Sequence, residues 1–152
     1  MSIPIGIRRA NPEDLPVLIN LLNVLFSIEA DFTPNPHKQH HGLQLMLEGN
    51  HRCVLVAETE GSIAGMVTAQ LVVSTAEGAY SGWIEDMVLF PEYRQQGIGH
   101  LLLQAIETWC YQNGAVRVQL LADRENRPAL EFYSKNGWQQ TQLMGLRKLF
   151  DE

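Results

Sequence analysis

The stretch Trp83-Ile84-Glu85-Asp86-Met87-Val88-Leu89-Phe90-Pro91-Glu92-Tyr93-Arg94-Gln95-Gln96-Gly97-Ile98-Gly99 reads as a strand that ends at a proline, a short loop, and a helix entered through Arg94-x-x-Gly97-x-Gly99. Two glycines at a helix entry let the backbone approach a ligand closely, and the first-turn N–H groups have no partner inside the helix. With the helix dipole added, this is an anion site suited to a pyrophosphate. Taken alone, the glycines fit a tight turn without a ligand equally well. No Gly-Lys-Ser/Thr follows them, which excludes a Walker-type loop. A dinucleotide fingerprint would need a third glycine where Leu102 stands.

Behind the loop, Ile98, Leu101, Leu102, Ala105, Ile106 and Trp109 form one helical stripe that Asn113-Gly114 stops. Towards the N-terminus, Ile3 to Arg9 alternates as a strand. Asn11-Pro12-Glu13-Asp14 then opens a helix with an Asn cap, a first-turn proline and acids at the positive end. Leu15, Leu18, Ile19, Leu22 and Phe26 continue it, and a second helix covers His37 to Glu48. Cys53 to Glu58, Ile63 to Ser74 and Tyr80 to Phe90 read as strands. Ala115 to Leu121 is a further strand, Arg127 to Lys135 a short helix, and Trp138 to Leu149 a final strand. The order βααβββαβαβ predicts an α/β chain of the mixed α+β kind, with helices on both faces of a central, mostly antiparallel sheet.

The 152 residues suit a single domain, 1–152, and 45% hydrophobic residues exclude disorder. Eleven Lys+Arg against 17 Asp+Glu leave a net charge of −6, so nucleic acid is not an expected partner. No apolar run spans a bilayer and no export signal is read at the start, so no membrane partner and a cytoplasmic location are expected. Cys53 and Cys110 read as buried hydrophobes, not as a disulfide framework.

The Arg94 to Gly99 segment resembles motif A of the GNAT acetyltransferase superfamily. A second segment, Asn126-Arg127-Pro128-Ala129-Leu130-Glu131-Phe132-Tyr133-Ser134-Lys135-Asn136-Gly137-Trp138, is similar to the family's Asn-x-x-Ala-x-x-Phe-Tyr-x-x-x-Gly-Phe, with Trp for the last Phe. The element order agrees, so the resemblance covers nearly the whole chain. It implies the GNAT acyl-CoA acyltransferase fold, acetyl-CoA as cosubstrate, and acetyl transfer to an amine without a metal. By position, the backbone of Met87, Val88 and Leu89 should pair with the pantetheine arm as an added strand would. Gln95, Gln96, Gly97, Ile98 and Gly99 should hold the pyrophosphate with Arg94 at the rim. His100 should lie near the CoA phosphates, and Asn126 near the pantetheine or thiol. A homodimer is also implied, although the exposed-looking Leu143, Met144, Leu146 and Leu149 do not decide it.

An alkylammonium with a pKa near 10.4 must lose a proton before it attacks, and the departing thiolate leaves better on receiving one. Tyr133 stands where the family carries its general acid; otherwise it is a half-buried aromatic. Glu85 is the expected amine-side residue. Strand alternation puts it with Trp83, Met87 and Leu89 on one face and Asp86 on the other. The Ile84-Glu85-Asp86 start is similar to that of spermidine/spermine and aminoglycoside 6'-acetyltransferases, where the glutamate binds the cation or takes its proton. A salt bridge from Glu85 to Arg117 is the competing assignment. Glu29 and Asp31 could extend an acidic rim, and Asp86 could touch substrate. His37, His40 and His41 have helical ligand spacing, but no further ligand lies nearby in sequence and no metal is expected. The expected function is acetyl transfer from acetyl-CoA to a small cationic amine by direct attack in a ternary complex. The alternatives are a protein N-terminal or lysine acetyltransferase and a non-catalytic CoA-binding module.

Overall fold

Along Arg52–Thr59 nearly every side chain is buried, as a strand requires when both of its faces are covered. A computed structural model describes residues 4–29 and 31–150 and shows what covers them. The chain divides into two compact units, 1–120 and 121–152. In the first, β1 (Gly6–Arg9), β2 (Arg52–Thr59), β3 (Ser62–Ser74), β4 (Ala79–Leu89) and β5 (Ala115–Gln119) form one sheet in sequence order. The β1–β2, β2–β3 and β3–β4 pairs are antiparallel, and β4–β5 is parallel. A parallel pair needs a crossover, and α3 (Ile98–Gln112) supplies it.

On one face, Leu15, Leu18, Leu21 and Leu22 of α1 (Leu15–Ile28) and Leu43 of α2 (Pro36–Met46) pack with Val54, Val56, Met66 and Val88. The other face takes α3, which packs against β2, β3 and β4. The expected α3 stripe is rotated: Ile98, Gly99, Leu102, Leu103, Ile106 and Cys110 are buried, while Leu101 is exposed. Small residues turn toward the sheet because α3 lies close to it. A Cβ added at Gly82 would stand 2.5 Å from the Cys110 Sγ. Burial pushes the Cys53 and Cys110 thiols up to about 11 and about 12, so both stay protonated at neutral pH.

The expected helix start at Asn11 is a short 3₁₀ turn, Pro12–Asp14, before α1. The Asn11 Oδ1 accepts from the Glu13 N–H at 3.0 Å, and the Asp14 Oδ2 accepts from the Asn11 N–H at 2.8 Å. Arg8 on β1 donates to both Asp14 oxygens (2.8 and 3.0 Å) and to Glu58 Oε2 on β2 (2.8 Å). This fork ties the helix entry to the sheet, and the Arg8 guanidinium holds the Asp14 carboxyl below its usual range.

In the second unit, α4 (Arg127–Lys135) forms where expected. The final strand expected at Trp138 to Leu149 does not: among the described residues, 138–150 contain no strand. Local hydrogen bonds here join Thr141 Oγ1 with the Leu143 backbone and the Trp138 N–H with the Tyr133 carbonyl. The polar run 139–142 and Gly145 break the alternation a strand needs.

Replacing Asp14 by Asn removes a charge-assisted fork and one cap acceptor. The expected loss is about 1–3 kcal/mol at neutral pH, read by chemical unfolding. Because the folded pKa of Asp14 is depressed, its contribution is present above the unfolded carboxylate range and fades as pH falls through the folded value. The gap between wild type and variant therefore narrows below about pH 4.

Candidate active site

The site begins where β4 outruns β5. Parallel pairing with β5 ends at Trp83↔Gln119, while β4 continues to Leu89, so residues 84–89 have no strand partner on that side among the described residues. The Phe90 N–H donates to the Ala64 carbonyl at 2.9 Å, which marks 64/90 as a hydrogen-bonded antiparallel pair. By alternation Met66/Val88 is another, while Gly65/Leu89 and Val67/Met87 direct their main-chain groups away from β3. The edge expected of Met87, Val88 and Leu89 thus narrows to Met87 and Leu89. Val88 spends its N–H and C=O on β3 and its side chain on the α1 core.

After Leu89 comes a 3₁₀ turn, Pro91–Tyr93, and then a sharp reversal. Gln95 (φ 62°) and Gly97 (φ 81°) both lie in the left-handed region, which costs a non-glycine residue about 1 kcal/mol. Gly97 caps α3, and a Cβ there would meet nothing within 4 Å, so the space before the helix is open. The N–H groups of Ile98, Gly99 and His100 are in the first turn, where the helix supplies no acceptor. Gln96 Nε2 donates to the Glu92 carbonyl at 3.0 Å, and Arg94 Nη2 reaches back to the Leu89 carbonyl at 3.3 Å. This donor set, beside an open strand edge, fits a pyrophosphate carried on an extended arm. His100 is exposed at the same helix end.

The acidic side departs from expectation. Val67 pairs with Met87 and Ala69 with Ile84, so Glu85 and Asp86 together stand opposite the single residue Thr68. This is a β-bulge, and the extra residue breaks the alternation. Trp83, Glu85, Met87 and Leu89 therefore do not share a face. Met87 and Leu89 fall with Gly82 and Ile84 on the α3 side, while Val88 falls on the α1 side.

Glu85 is exposed and Asp86 half-buried. Thr68, buried at 1% exposure, accepts from the Asp86 N–H and donates to Asp86 Oδ2, both at 3.0 Å. Burial chiefly, and then the charges of Glu85 and Glu29, push the Asp86 carboxyl up to about 6 against the pull of the Thr68 hydrogen bond. Asp86, Glu85 and Glu29, the last capping the C-terminus of α1, thus form one electrostatic group. Arg117, the competing partner for Glu85, pairs with Glu77 at 3.3 Å. Asp31 is exposed after α1. His37, His40 and His41 are exposed on α2, and no described cluster of three or more His, Cys, Asp or Glu has ligand geometry. Sequence reasoning missed Thr68. A threonine set between Val67 and Ala69 in a mostly apolar run was the available signal.

In the second unit, Asn126 caps α4 with its Oδ1 accepting from the Ala129 N–H at 3.3 Å. Its side-chain oxygen is thereby occupied, and its amide N–H groups remain donors. Tyr133 is half-buried, with its ring 5.3 Å from Phe132 and 5.7 Å from Trp138.

Crossover, strand edge, left-handed turn and helix entry are the elements expected of an acyl-CoA acyltransferase, and the family match supplies the class. The chain matches the acetyltransferase (GNAT) family over residues 20–138 and belongs to it. A Bacillus subtilis (strain 168) protein provisionally named ribosomal protein bS18-alanine N-acetyltransferase is 29% identical over 124 residues, covering 82% of this chain and 76% of that one. The aminoalkylphosphonate N-acetyltransferase of Salmonella typhimurium (strain LT2) is 26% identical over 135 residues, 89% of this chain and 85% of that one. The chain spans 66% of the length of another B. subtilis relative, N-acetyltransferase YhfO, at 29% identity over 98 residues, 64% of this chain. The solved aminoglycoside N-acetyltransferase AAC(6')-Iy in complex with CoA superimposes with a TM-score of 0.83 at 18% identity, covering 97% of each chain. That likeness concerns the fold. No described helix is long and apolar enough to cross a membrane.

Asp86→Asn checks the electrostatic account. A raised folded pKa means that the native state keeps its proton longer, so stability falls as pH rises from about 4 to about 6 and stays lowered above. The neutral variant is expected to gain up to about 3 kcal/mol at pH 8 and to lose that advantage near pH 4, measured by unfolding at both.

Proposed function

We propose that the protein transfers the acetyl group of acetyl-CoA to a primary amine of a small cationic molecule, by direct attack in a ternary complex. The observation that carries this reading is the bulge. It places Glu85 and Asp86 together opposite Thr68, within electrostatic reach of Glu29. Carboxylates within electrostatic reach of one another attract an ammonium group and disfavour an acidic acceptor. The fold neighbour named as an aminoglycoside acetyltransferase agrees with a small cationic amine, whereas the sequence relative named as an aminoalkylphosphonate acetyltransferase agrees with a small amine only, since a phosphonate is anionic.

The thioester supplies an acyl group already activated toward amines. On the cofactor side, Met87 and Leu89 bind the arm through their outward main-chain groups. The N–H groups of Gln95 to Gly99 hold the pyrophosphate, with Arg94 and His100 at its edge. Asn126 orients the thiol end through its amide. On the acceptor side, Glu85 and Glu29 hold the cation at the rim. Glu85 was expected either to bind the cation or to take its proton; it is exposed, whereas Asp86 is shielded and pushed up to about 6. A carboxylate near that value is ionised at neutral pH yet basic enough to receive the ammonium proton. Tyr133 gives its phenolic proton to the departing thiolate. Neither cysteine takes part, because both are buried as neutral thiols.

A second reading, acetylation of a protein N-terminus, is favoured by the relative named as a bS18-alanine acetyltransferase. The proposal also includes one functional domain made of both units, a cytoplasmic location, and a homodimer. Exposed Leu143, Met144, Leu146, Leu149 and Phe150 are available for the dimer contact.

Calorimetric titration should give micromolar binding of acetyl-CoA and none of ATP or NAD. Turnover, followed by thiol release, should then appear with polyamines, diamines or aminoglycosides before peptides. Acetylation of an Ala-initiated peptide alone would replace the small-amine reading with the second one. Tyr133→Phe should lower kcat by about 10²–10⁴-fold with little change in acetyl-CoA affinity; an unchanged kcat at every pH would remove the general-acid role.

A further inference from the structure

The Asp86 carboxylate meets one neutral hydrogen-bonding group from the neighbouring strand, and that group does two jobs. The Thr68 hydroxyl oxygen accepts the Asp86 N–H, and the hydroxyl proton goes to Asp86 Oδ2, each at 3.0 Å. The first bond satisfies a main-chain donor at the bulge. The second fixes which way the carboxylate turns. Thr68 is 1% exposed, so water does not compete, and a β-branched side chain holds one χ1 well more firmly than serine does. A hydroxyl has a single proton, so donating it to Oδ2 commits the group.

We infer that Thr68 is a positioning residue of the acceptor site, whose hydroxyl holds the β4 bulge and orients the Asp86 carboxylate toward the amine. The inference rests on the reading of Asp86 as the amine-side carboxylate. Thr68 itself touches no substrate.

The surroundings make the hydroxyl decisive. β4 packs against β3, β5, α1 and α3. β3 and α1 contain no titratable side chain, apart from Glu29 capping α1. Arg117 of β5 is engaged by Glu77. His100, Glu107, Cys110 and Tyr111 belong to α3, on the opposite face of the sheet. The charges acting on Asp86 are therefore those of Glu85 and Glu29, both opposing ionisation, and Thr68 is what favours it. A threonine at this register, in place of the valine that the adjacent core would accept, sets how readily the carboxylate is charged.

The test compares wild type, Thr68→Val and Thr68→Ser in the intact protein. The first readout is the titration midpoint of the Asp86 carboxyl, followed by ¹³C NMR without ligand. The second is the acid limb of the kcat/KM pH profile with acetyl-CoA and spermidine as the probe amine. Thr68→Val should raise the midpoint by about one pH unit, roughly tenfold in proton affinity, and move the acid limb by the same amount. Thr68→Ser should restore both. A midpoint unmoved in Thr68→Val overturns the inference. A midpoint that moves while the acid limb stays fixed upholds the Thr68 contact and removes Asp86 from the amine chemistry, so the two failures are told apart. If Thr68→Val does not fold, Thr68→Cys keeps a similar volume with a weaker donor, and its midpoint must still rise.

Discussion

β4 has more neighbours than a regular strand can serve, and the site follows from how it divides itself among them. One edge is paired with β3 along its length, and the other with β5 as far as Trp83 only. One face must fill the α1 core with Val88, and the other must admit α3 against Gly82. A strand with strict period two could not place both Gly82 and Met87 on the α3 side. Inserting one residue between Ile84 and Met87 resolves the conflict, because a bulge shifts the parity of everything beyond it. The two residues at the bulge are left outside both cores, and both are acids. Their position follows from a packing requirement some distance away.

That placement explains the unequal chemistry of two neighbouring carboxylates. Glu85 is exposed to water. Asp86 is drawn toward α1, where lost solvation and two like charges oppose its ionisation. Desolvation is the first of these, so moving Asp86 outward would do more than removing either neighbour. The Thr68 hydroxyl works against both effects with one short-range contact. An acceptor ammonium would do the same from the other side, so binding the cation and charging the carboxylate are mutually reinforcing.

Most of the fold was legible in the sequence because its signals are local. Asn11-Pro12 marked the first helix region, Asn113-Gly114 the end of α3, and Arg127 to Lys135 the whole of α4. The Arg94 to Gly99 turn was legible from its glycines. What escaped depends on partners. The α3 stripe was read one step off: Leu103 and Cys110 are buried, while Leu101 is exposed, because which leucines face inward depends on how the helix is rolled against the sheet. Alternation assigned Asp86 a face of its own because nothing in residues 79–89 shows that Thr68 must oppose two of them. The apolar content of 138–149 read as a strand, although no strand forms there among the described residues. For the same reason Val88 was counted with Met87 and Leu89: which main-chain groups face outward is a matter of register, and register is a property of two strands.

The open edge and the glycine turn are also connected through the backbone. Met87 and Leu89 direct polar groups away from β3, into the side that β5 has vacated. Such groups need partners or water, and here one partner is within the loop itself: Arg94 donates to the Leu89 carbonyl. Arg94, at the start of the glycine turn, therefore also terminates the strand edge. A ligand that extends along the edge and ends in an anion would meet both groups, offering a donor to the Leu89 carbonyl and a charge to the Arg94 guanidinium. On the proposed reading, one side chain would couple recognition of the arm to recognition of the phosphate, because releasing the carbonyl would free the cation. That coupling requires the turn to follow the strand within a few residues, which the Pro91–Tyr93 turn and the left-handed Gln95 and Gly97 accomplish.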